Sequence, residues 1–199
     1  MGRSKPRVSI GLPVYNAENY IADALDAILA QTYRDFELIV SDNSSTDRTA
    51  QICRAYQAAD RRLRFYRNSE NLGAAANYNR TFELSTGEYF KWAAHDDVIA
   101  PDFLLKCVQV LDKHPEVILS HPKARIIDEQ GAVIEDYDVH LRTDSPQPHV
   151  RFHDLIWVRH WCLQVYGLIR RSALKMTPLH GGYASSDRVL LVQLALLGR

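Results

Sequence analysis

This sequence carries no excess of either charge: 24 lysines and arginines are offset by 24 aspartates and glutamates. A nucleic-acid-binding domain needs a basic footprint to displace counterions, so nucleic acid is not expected among its partners. Cysteine is scarce. Cys53, Cys107 and Cys162 are widely spaced and odd in number, which argues against a disulfide framework and a C-x-x-C zinc site and suits a reducing compartment. Long apolar runs are missing as well. The densest, Val189 to Leu197, is interrupted by Gln193 and is too short to span a bilayer. The opening residues, MGRSKPRVSI, lack the apolar segment of a signal peptide, and Pro6 spoils the myristoylation pattern begun by Gly2. A soluble, cytoplasmic protein is expected, with peripheral attachment to the inner membrane face left open. Both glycine-rich phosphate loops are also absent, G-x-G-x-x-G and G-x-x-x-x-G-K-[ST] alike. A nucleotide bound here must find positive charge for its phosphates elsewhere.

What is present is an ordinary globular core, 46% of the residues being hydrophobic, arranged in alternating periodicities. Strands are predicted at Arg7 to Val14, Phe36 to Val40, Leu63 to Tyr66 and Glu88 to Ala93. Helices follow each: Ile21 to Leu29; one capped by Ser45 or Thr46 with Ile52, Ala55, Tyr56 and Ala59 inward; Ala74 to Leu84; and one opened by Pro101. Four strand–helix alternations predict an α/β fold, a mostly parallel central sheet with helices on both faces. The second half is less regular. It reads as a long strand over 117–127, a turn at Asp128 to Gly131, an acidic exposed loop over 135–149, a strand over 166–169 and a helix over 187–197. The chain stops at Gly198-Arg199 without an evident closing element, which predicts truncation at the C-terminus.

Ligands of such sheets sit beyond the carboxyl ends of the strands. The loops there read PVYN, SDNSST, RNSENLG and HDD, all polar. Asp96 and Asp97 follow directly on the fourth strand, several residues before the next helix and too early to cap it. Mg2+ and Mn2+ favour one or two protein carboxylates completed by phosphate oxygens and water, so this pair suits a divalent cation beneath a diphosphate.

The ordered set PVYN (13–16), SDNSSTD (41–47), NLGAAAN (71–77), HDD (95–97) and SSD (185–187) resembles the family 2 glycosyltransferases from about Val8 to the last residue. The resemblance implies the GT-A fold: a donor-binding half, residues 1–115, and an acceptor-binding half, residues 116–199. It implies that Pro13, Tyr15, Asn16 and Asp42 contact the nucleoside, Asp42 accepting from a uracil ring if the donor is UDP-linked. Asn71, Gly73 and Asn77 of the third motif would join that nucleotide-sugar site. Asp96 and Asp97 stand for the DxD-type element, Asp96 towards the ribose and Asp97 on the metal, and Asp187 stands for the catalytic base. Spelling departs from the family in three places: Asp42-Asn43-Ser44-Ser45 for the commoner D-D-G-S, Ala94 for the first acid of D-x-D-D, and Ser186 for the acid often preceding the base.

The expected reaction moves a hexosyl or N-acetylhexosaminyl group from a nucleotide sugar, with inversion and metal assistance, to a glycan, lipid-linked or other hydroxyl acceptor, as in polysaccharide biosynthesis. Alternatives are a catalytically silent nucleotide-sugar-binding module and a nucleotidyltransferase. Several residues have plainer readings. Asp42 could end a strand in an Asx turn, and Asp187 could favour a helix N-terminus through the dipole. His149 and His153 are read as incidental, His95 as a polar turn residue with contact to phosphate or metal as the alternative, and Tyr20, Tyr33 and Tyr56 as helix packing. Trp157, Trp161 and Tyr166 are read as core, with stacking on an acceptor sugar as the alternative.

Overall fold

The hub of the fold is β1 (Val8–Val14), buried along its whole length. A continuous apolar strand of this kind belongs in the middle of a parallel sheet, covered on both faces. In the computed structural model, which describes residues 5–199, it is followed by α1 (Ile21–Leu29), β2 (Phe36–Asp42), α2 (Thr49–Ala59), β3 (Leu63–Arg67), α3 (Ala74–Glu83), β4 (Tyr89–Trp92) and α4 (Phe103–Lys113). The myristoylation-like start lies outside the described residues. The second half adds β5 (Leu119–Ser120), β6 (Ala124–Ile127), β7 (Val133–Tyr137), α5 (Pro148–Trp157), a 3-10 turn at Leu163–Tyr166, β8 (Leu168–Arg170), α6 (Arg171–Leu174) and α7 (Ser186–Leu197).

One six-stranded sheet runs β3-β2-β1-β4-β8-β5, and β6 and β7 form a separate hairpin. The first four strands are parallel, whereas β8 is antiparallel to both its neighbours. On one face Ile21, Leu25, Cys53, Leu104 and Leu111 join Ile10, Leu12, Leu38 and Val40 in a single core. The other face gathers Phe82, Phe90, Trp92, Leu155, Leu174, Leu190 and Leu194. Thus α1, α2 and α4 cover one side and α3, α5, α6 and α7 the other. Packing on the second side is close: a Cβ on Gly11 would lie 2.3 Å from the Thr81 hydroxyl and 2.8 Å from the Phe90 ring. Among the described residues no helix is long and apolar enough to cross a membrane.

The structure departs from the sequence reading at several points. The inward face of α2 is Ala50 and Cys53 with Ile52 and Tyr56 at its margin, while Ala55 and Ala59 are exposed. Neither Ser45 nor Thr46 caps that helix; Asp47 Oδ1 accepts from Thr49 N–H instead, at 3.0 Å. The long strand expected over 117–127 is two short ones, broken at His121-Pro122-Lys123, where proline cannot donate to a ladder. Beyond it, Asp128 accepts backbone bonds from Gln130 and Ala132, and Gly131 adopts φ +79, closing the expected hairpin. The acidic stretch is not wholly loop, since β7 reaches Tyr137 and Pro148 opens α5, which carries both His149 and His153. Tyr20 is exposed, whereas Tyr33 and Tyr56 pack against the core.

Two polar knots hold the ends of the sheet. At the amino ends, buried Glu37 accepts from the Ser9 hydroxyl (2.7 Å), Thr86 N–H (2.9 Å), the Thr86 hydroxyl (2.8 Å) and Arg64 Nη1 (2.8 Å). Burial alone would raise its pKa, but these four donors outweigh it and hold the carboxyl below the usual range. At the carboxyl ends, buried Asn77 on α3 accepts from the Ser41 hydroxyl (2.7 Å) and Asn68 Nδ2 (3.2 Å) and donates to the Ser41 carbonyl (2.9 Å).

Both knots have measurable consequences. A depressed carboxyl stabilises the fold above its unfolded pKa, about 4.3, and that stabilisation is lost as pH falls through the lower folded value. Glu37→Gln is therefore expected to lower the melting temperature at pH 7, with the deficit shrinking below about pH 4, read by calorimetry across pH. Asn77→Ala leaves the Ser41 hydroxyl and carbonyl without their partner, and denaturant titration should show a loss of about 2 kcal/mol.

Candidate functional site

The first two loops are fastened to one another. Pro13 and Val14 finish β1 in the core, and the chain then exposes Tyr15 and turns through Asn16 at φ 49. Non-glycine residues rarely adopt that conformation, and asparagine tolerates it best. Asn16 Oδ1 accepts from Thr46 N–H at 2.8 Å, and Asn16 N–H donates to the Ser45 hydroxyl at 2.9 Å. Ser45 in turn donates its hydroxyl and its N–H to Asp42 Oδ1. Asp42 is fully buried, and its Oδ1 bonds the backbone three residues on, one further than the Asx turn expected. The other, Oδ2, has no hydrogen-bond donor and faces Arg67 Nε at 3.5 Å. A buried acceptor without a donor at a strand end is unusual, and a ligand N–H would reach it only as the surrounding side chains move aside.

The third loop closes the same edge. Asn43 donates to Asn71 Oδ1 (2.6 Å) and accepts from Leu72 N–H (2.9 Å). Gly73, at φ +81, starts α3 in a backbone conformation costly for any side chain. The side-chain oxygen of Asn71 is committed to Asn43 and to Gly73 N–H. Asn77, with its amide fully engaged inside the protein, positions the loops from beneath rather than offering a free group.

At the end of β4 the chain surfaces, with Asp96 and Asp97 exposed and His95 half-buried. Beneath them Lys91 is 1% exposed, donating to the Trp92 and Tyr166 carbonyls at 2.8 Å each and lying 4.6 Å from the Phe103 ring centre. Burial pulls its pKa down to about 8, against the opposing pull of Cys107 and Asp97. The Asp97 carboxyl is held above the usual range, first by the protein crowded around it and then by Asp96, with Lys91 and His95 opposing. Two carboxylates competing for positive charge at an open edge fit a divalent cation. Among the described residues no three His, Cys, Asp or Glu side chains form a closed metal cage; two carboxylates suffice where phosphate and water complete the sphere.

Asp187 comes to this place from the other half of the chain. It lies in the first turn of α7, its Oδ1 accepting from Arg188 N–H at 2.8 Å, behind Ser185 at φ 62. Between it and the acidic pair are Tyr78 on α3 and Tyr166, hydroxyl to hydroxyl at 3.1 Å. Burial raises the Tyr78 pKa, the Tyr166 bond lowers it, and the charges of Asp96, Asp97 and Asp187 all raise it further. The charges of all three carboxylates thus reach one phenol, although some 90 residues separate the pair from the third. His180 completes the floor, edge-on to Trp92 at 4.7 Å and Tyr78 at 5.0 Å. Its backbone is clamped by both ends of the Asn79 amide (2.9 and 3.0 Å), and burial lowers its pKa against the charge of Asp187.

Tyr78, Lys91, Arg67 and His180 were not singled out as site residues in the sequence. Lys91 carries the one visible signal, a cation inside an apolar strand. His149 is exposed and the His153 ring meets only its neighbour Asp154, at 3.1 Å. Trp157 and Trp161 are exposed rather than core, whereas Tyr166 is half-buried.

The profile of Glycosyl transferase family 2 matches residues 9–175. An uncharacterized glycosyltransferase of Rickettsia typhi is 40% identical over 108 residues, covering 54% of this chain and 33% of that protein. Another, from Methanocaldococcus jannaschii, is 30% identical over 135 residues, covering 67% of this chain and 47% of that protein. The chain therefore spans about a third to a half of these relatives. Among solved structures, Staphylococcus aureus TarS 1-349 in complex with UDP-GlcNAc superposes with TM-score 0.75 at 20% identity, over 97% of this chain and 54% of that one. The mannosyltransferase PcManGT of Pyrobaculum calidifontis, in complex with GDP-Man and Mn2+, gives TM-score 0.66 at 21% identity, over 94% and 51%. These two likenesses establish the GT-A-type fold, and the profile match over most of the chain establishes the rest: the protein is a member of the family 2 glycosyltransferases.

Proposed function

We propose that the protein transfers a sugar from a nucleotide-sugar donor, UDP-linked, to a hydroxyl acceptor with inversion. Residues 1–115 form the donor half and residues 116–199 the acceptor half. The observation that carries this is that the charges of Asp96, Asp97 and Asp187, from the two halves of the chain, all reach Tyr78, which bonds Tyr166, at the sheet edge where Asp42 ends β2. The nucleobase enters against Pro13, Tyr15 and Asn16, and its imide N–H meets Asp42 Oδ2. A divalent cation, Mn2+ or Mg2+, held by Asp97 with Asp96 beside it on the ribose side, would supply Lewis-acid stabilisation of the departing diphosphate.

Transfer is then a single displacement. The acceptor oxygen attacks the anomeric carbon, the bond from that carbon to the diphosphate oxygen breaks, and the hydroxyl proton passes to the Asp187 carboxylate. A general base of this kind contributes roughly 10²–10⁴ in rate. The floor of Tyr78, Trp92 and His180 shields the reacting face from water, which strengthens the fields acting there. Lys91 keeps a positive charge under the acidic pair below its pKa of about 8. The acceptor is a glycan, a lipid-linked sugar or another alcohol.

Two substitutions test this assignment. Calorimetry should find Mn2+-dependent UDP binding that Asp97→Ala weakens by about tenfold or more; affinity unchanged in the variant would remove Asp97 as the cation ligand. Water can replace the acceptor, so slow donor hydrolysis is expected, and Asp187→Ala should reduce it by roughly 10²–10⁴. Hydrolysis undiminished in that variant would remove Asp187 as the base, and donor binding without any turnover would point to a silent binding module.

A further inference from the structure

Trp161 is an exposed aromatic held rigidly from behind. It is 61% exposed, and one face of its indole stacks on Tyr137 at 5.4 Å between ring centres and 30° between planes. The Tyr137 hydroxyl also accepts from Trp161 N–H at 2.7 Å, so side chain and backbone are fixed by the same residue. The second face of the indole is left to solvent. Trp157 is equally bare, at 75% exposure, but no aromatic ring backs it. Hydrophobic burial does not account for a large ring oriented and then left open, whereas an amphipathic ligand with a flat apolar face does.

The position of the ring points to the ligand. The next residue, Cys162, turns inward at φ 59 and is 4% exposed. Its thiol lies 3.5 Å from His160 Nε2; burial raises its pKa, and the charge of Asp187 raises it further against that of Arg188. Arg188 donates to the carbonyls of His160 (3.1 Å), Leu155 (3.3 Å) and Ile156 (3.4 Å), tying the first turn of α7 to the chain on either side of Trp157. The open ring is thus anchored one residue from His160, whose carbonyl holds Arg188, the neighbour of the proposed base.

The surrounding charge narrows the ligand further. The hairpin that supplies Tyr137 carries Lys123 and Arg125 against Asp128, Glu129, Glu135, Asp136 and Asp138. Both cations are already paired, Lys123 with Asp138 at 3.4 Å and Arg125 with Asp136 at 3.0 Å. The hairpin, acidic overall with its own basic groups engaged, repels anionic lipid. Arg159, exposed two residues before Trp161, forms no ion pair among the described residues. Charges of both signs near the ring suit an uncharged polyol, which hydrogen-bonds to either.

We propose that the open face of Trp161, backed by Tyr137, is the shelf on which a hexose ring of a neutral glycan acceptor stacks as its hydroxyl approaches Asp187. The assignment of the ligand as acceptor rests on the transferase reading above; the binding of a neutral glycan does not. The test uses the full chain, fluorescently labelled, on a printed array of neutral and acidic glycans, with sedimentation on phosphatidylserine–phosphatidylcholine vesicles alongside. Capture of neutral glycans is expected. Trp161→Ala should weaken it about tenfold, Trp161→Tyr should restore most of it, and Trp157→Ala should not change it. Circular dichroism verifies that each variant is folded.

The proposal is overturned if the wild type captures no neutral glycan, if Trp161→Ala binds as tightly as wild type, or if the Trp161-dependent partner is the anionic vesicle. A thermal-shift series with UDP-sugars and Mn2+ on the wild type separates the two readings. A donor shift without glycan capture removes the shelf alone, whereas Trp161-dependent capture without a donor shift leaves the shelf and removes the transferase assignment.

Discussion

A parallel sheet must end somewhere, and at its carboxyl edge each strand presents backbone groups with no continuing ladder. Everything in the first half of the chain follows from how it meets that constraint. The ladder is carried past the strand ends by Asn43 N–H to the Val14 carbonyl and Asn68 N–H to the Asp42 carbonyl, both at 2.8 Å. The Asn77 amide then locks β2 from beneath. Buried polar groups satisfied in this way rigidify a structure beyond what their individual energies suggest. The loops are therefore pre-set, and two buried oxygens among them, Asp42 Oδ2 and Asn68 Oδ1, are left without a donor.

The other organising element is the mixture of strand directions. Because β8 runs antiparallel beside β4, the chain of the second half is drawn against the strand that leads to the acidic pair. The turn preceding β8 delivers Tyr166 to Tyr78 and its carbonyl to Lys91. Burying an ammonium so deeply is costly unless it is well solvated by protein, and two carbonyls and an aromatic face perform that task. A fixed cation below and an open carboxylate pair above make a local dipole across the sheet edge. Mobile charge arriving there meets a field already oriented, which is the condition under which electrostatics contributes most to catalysis.

The first half was legible in the sequence because its signals are local. Continuous apolar strands, helical spacing and polar loops at strand ends each declare themselves within a few residues, and the strands at Arg7, Phe36, Leu63 and Glu88 lie within about two residues of those observed. The second half resists such reading for identifiable reasons. Proline at 122 splits a strand whose hydrophobic pattern continues across it, and helix α5 hides behind Pro146 and Pro148, which act as loop signals until the second proves to be an N-terminal helix residue. Tyr78, Tyr166 and His180 meet only in three dimensions, since each lies on a different element. The exposure of Trp157 and Trp161 inverts what aromatic composition suggests, because no periodicity distinguishes a ring facing inward from one facing out.

The hairpin of β6 and β7 pairs only with itself, outside the main sheet. In a sheet, a single inserted residue reverses the sidedness of a strand and propagates to its neighbours. Here such a change stops at the hairpin turn. The surface that frames Trp161 can consequently be rewritten, lengthened or recharged while β4, β8 and the start of α7 keep their alignment. Natural variation has room to retarget the molecule by editing one detachable ribbon, and a designer would find the same freedom in the same place.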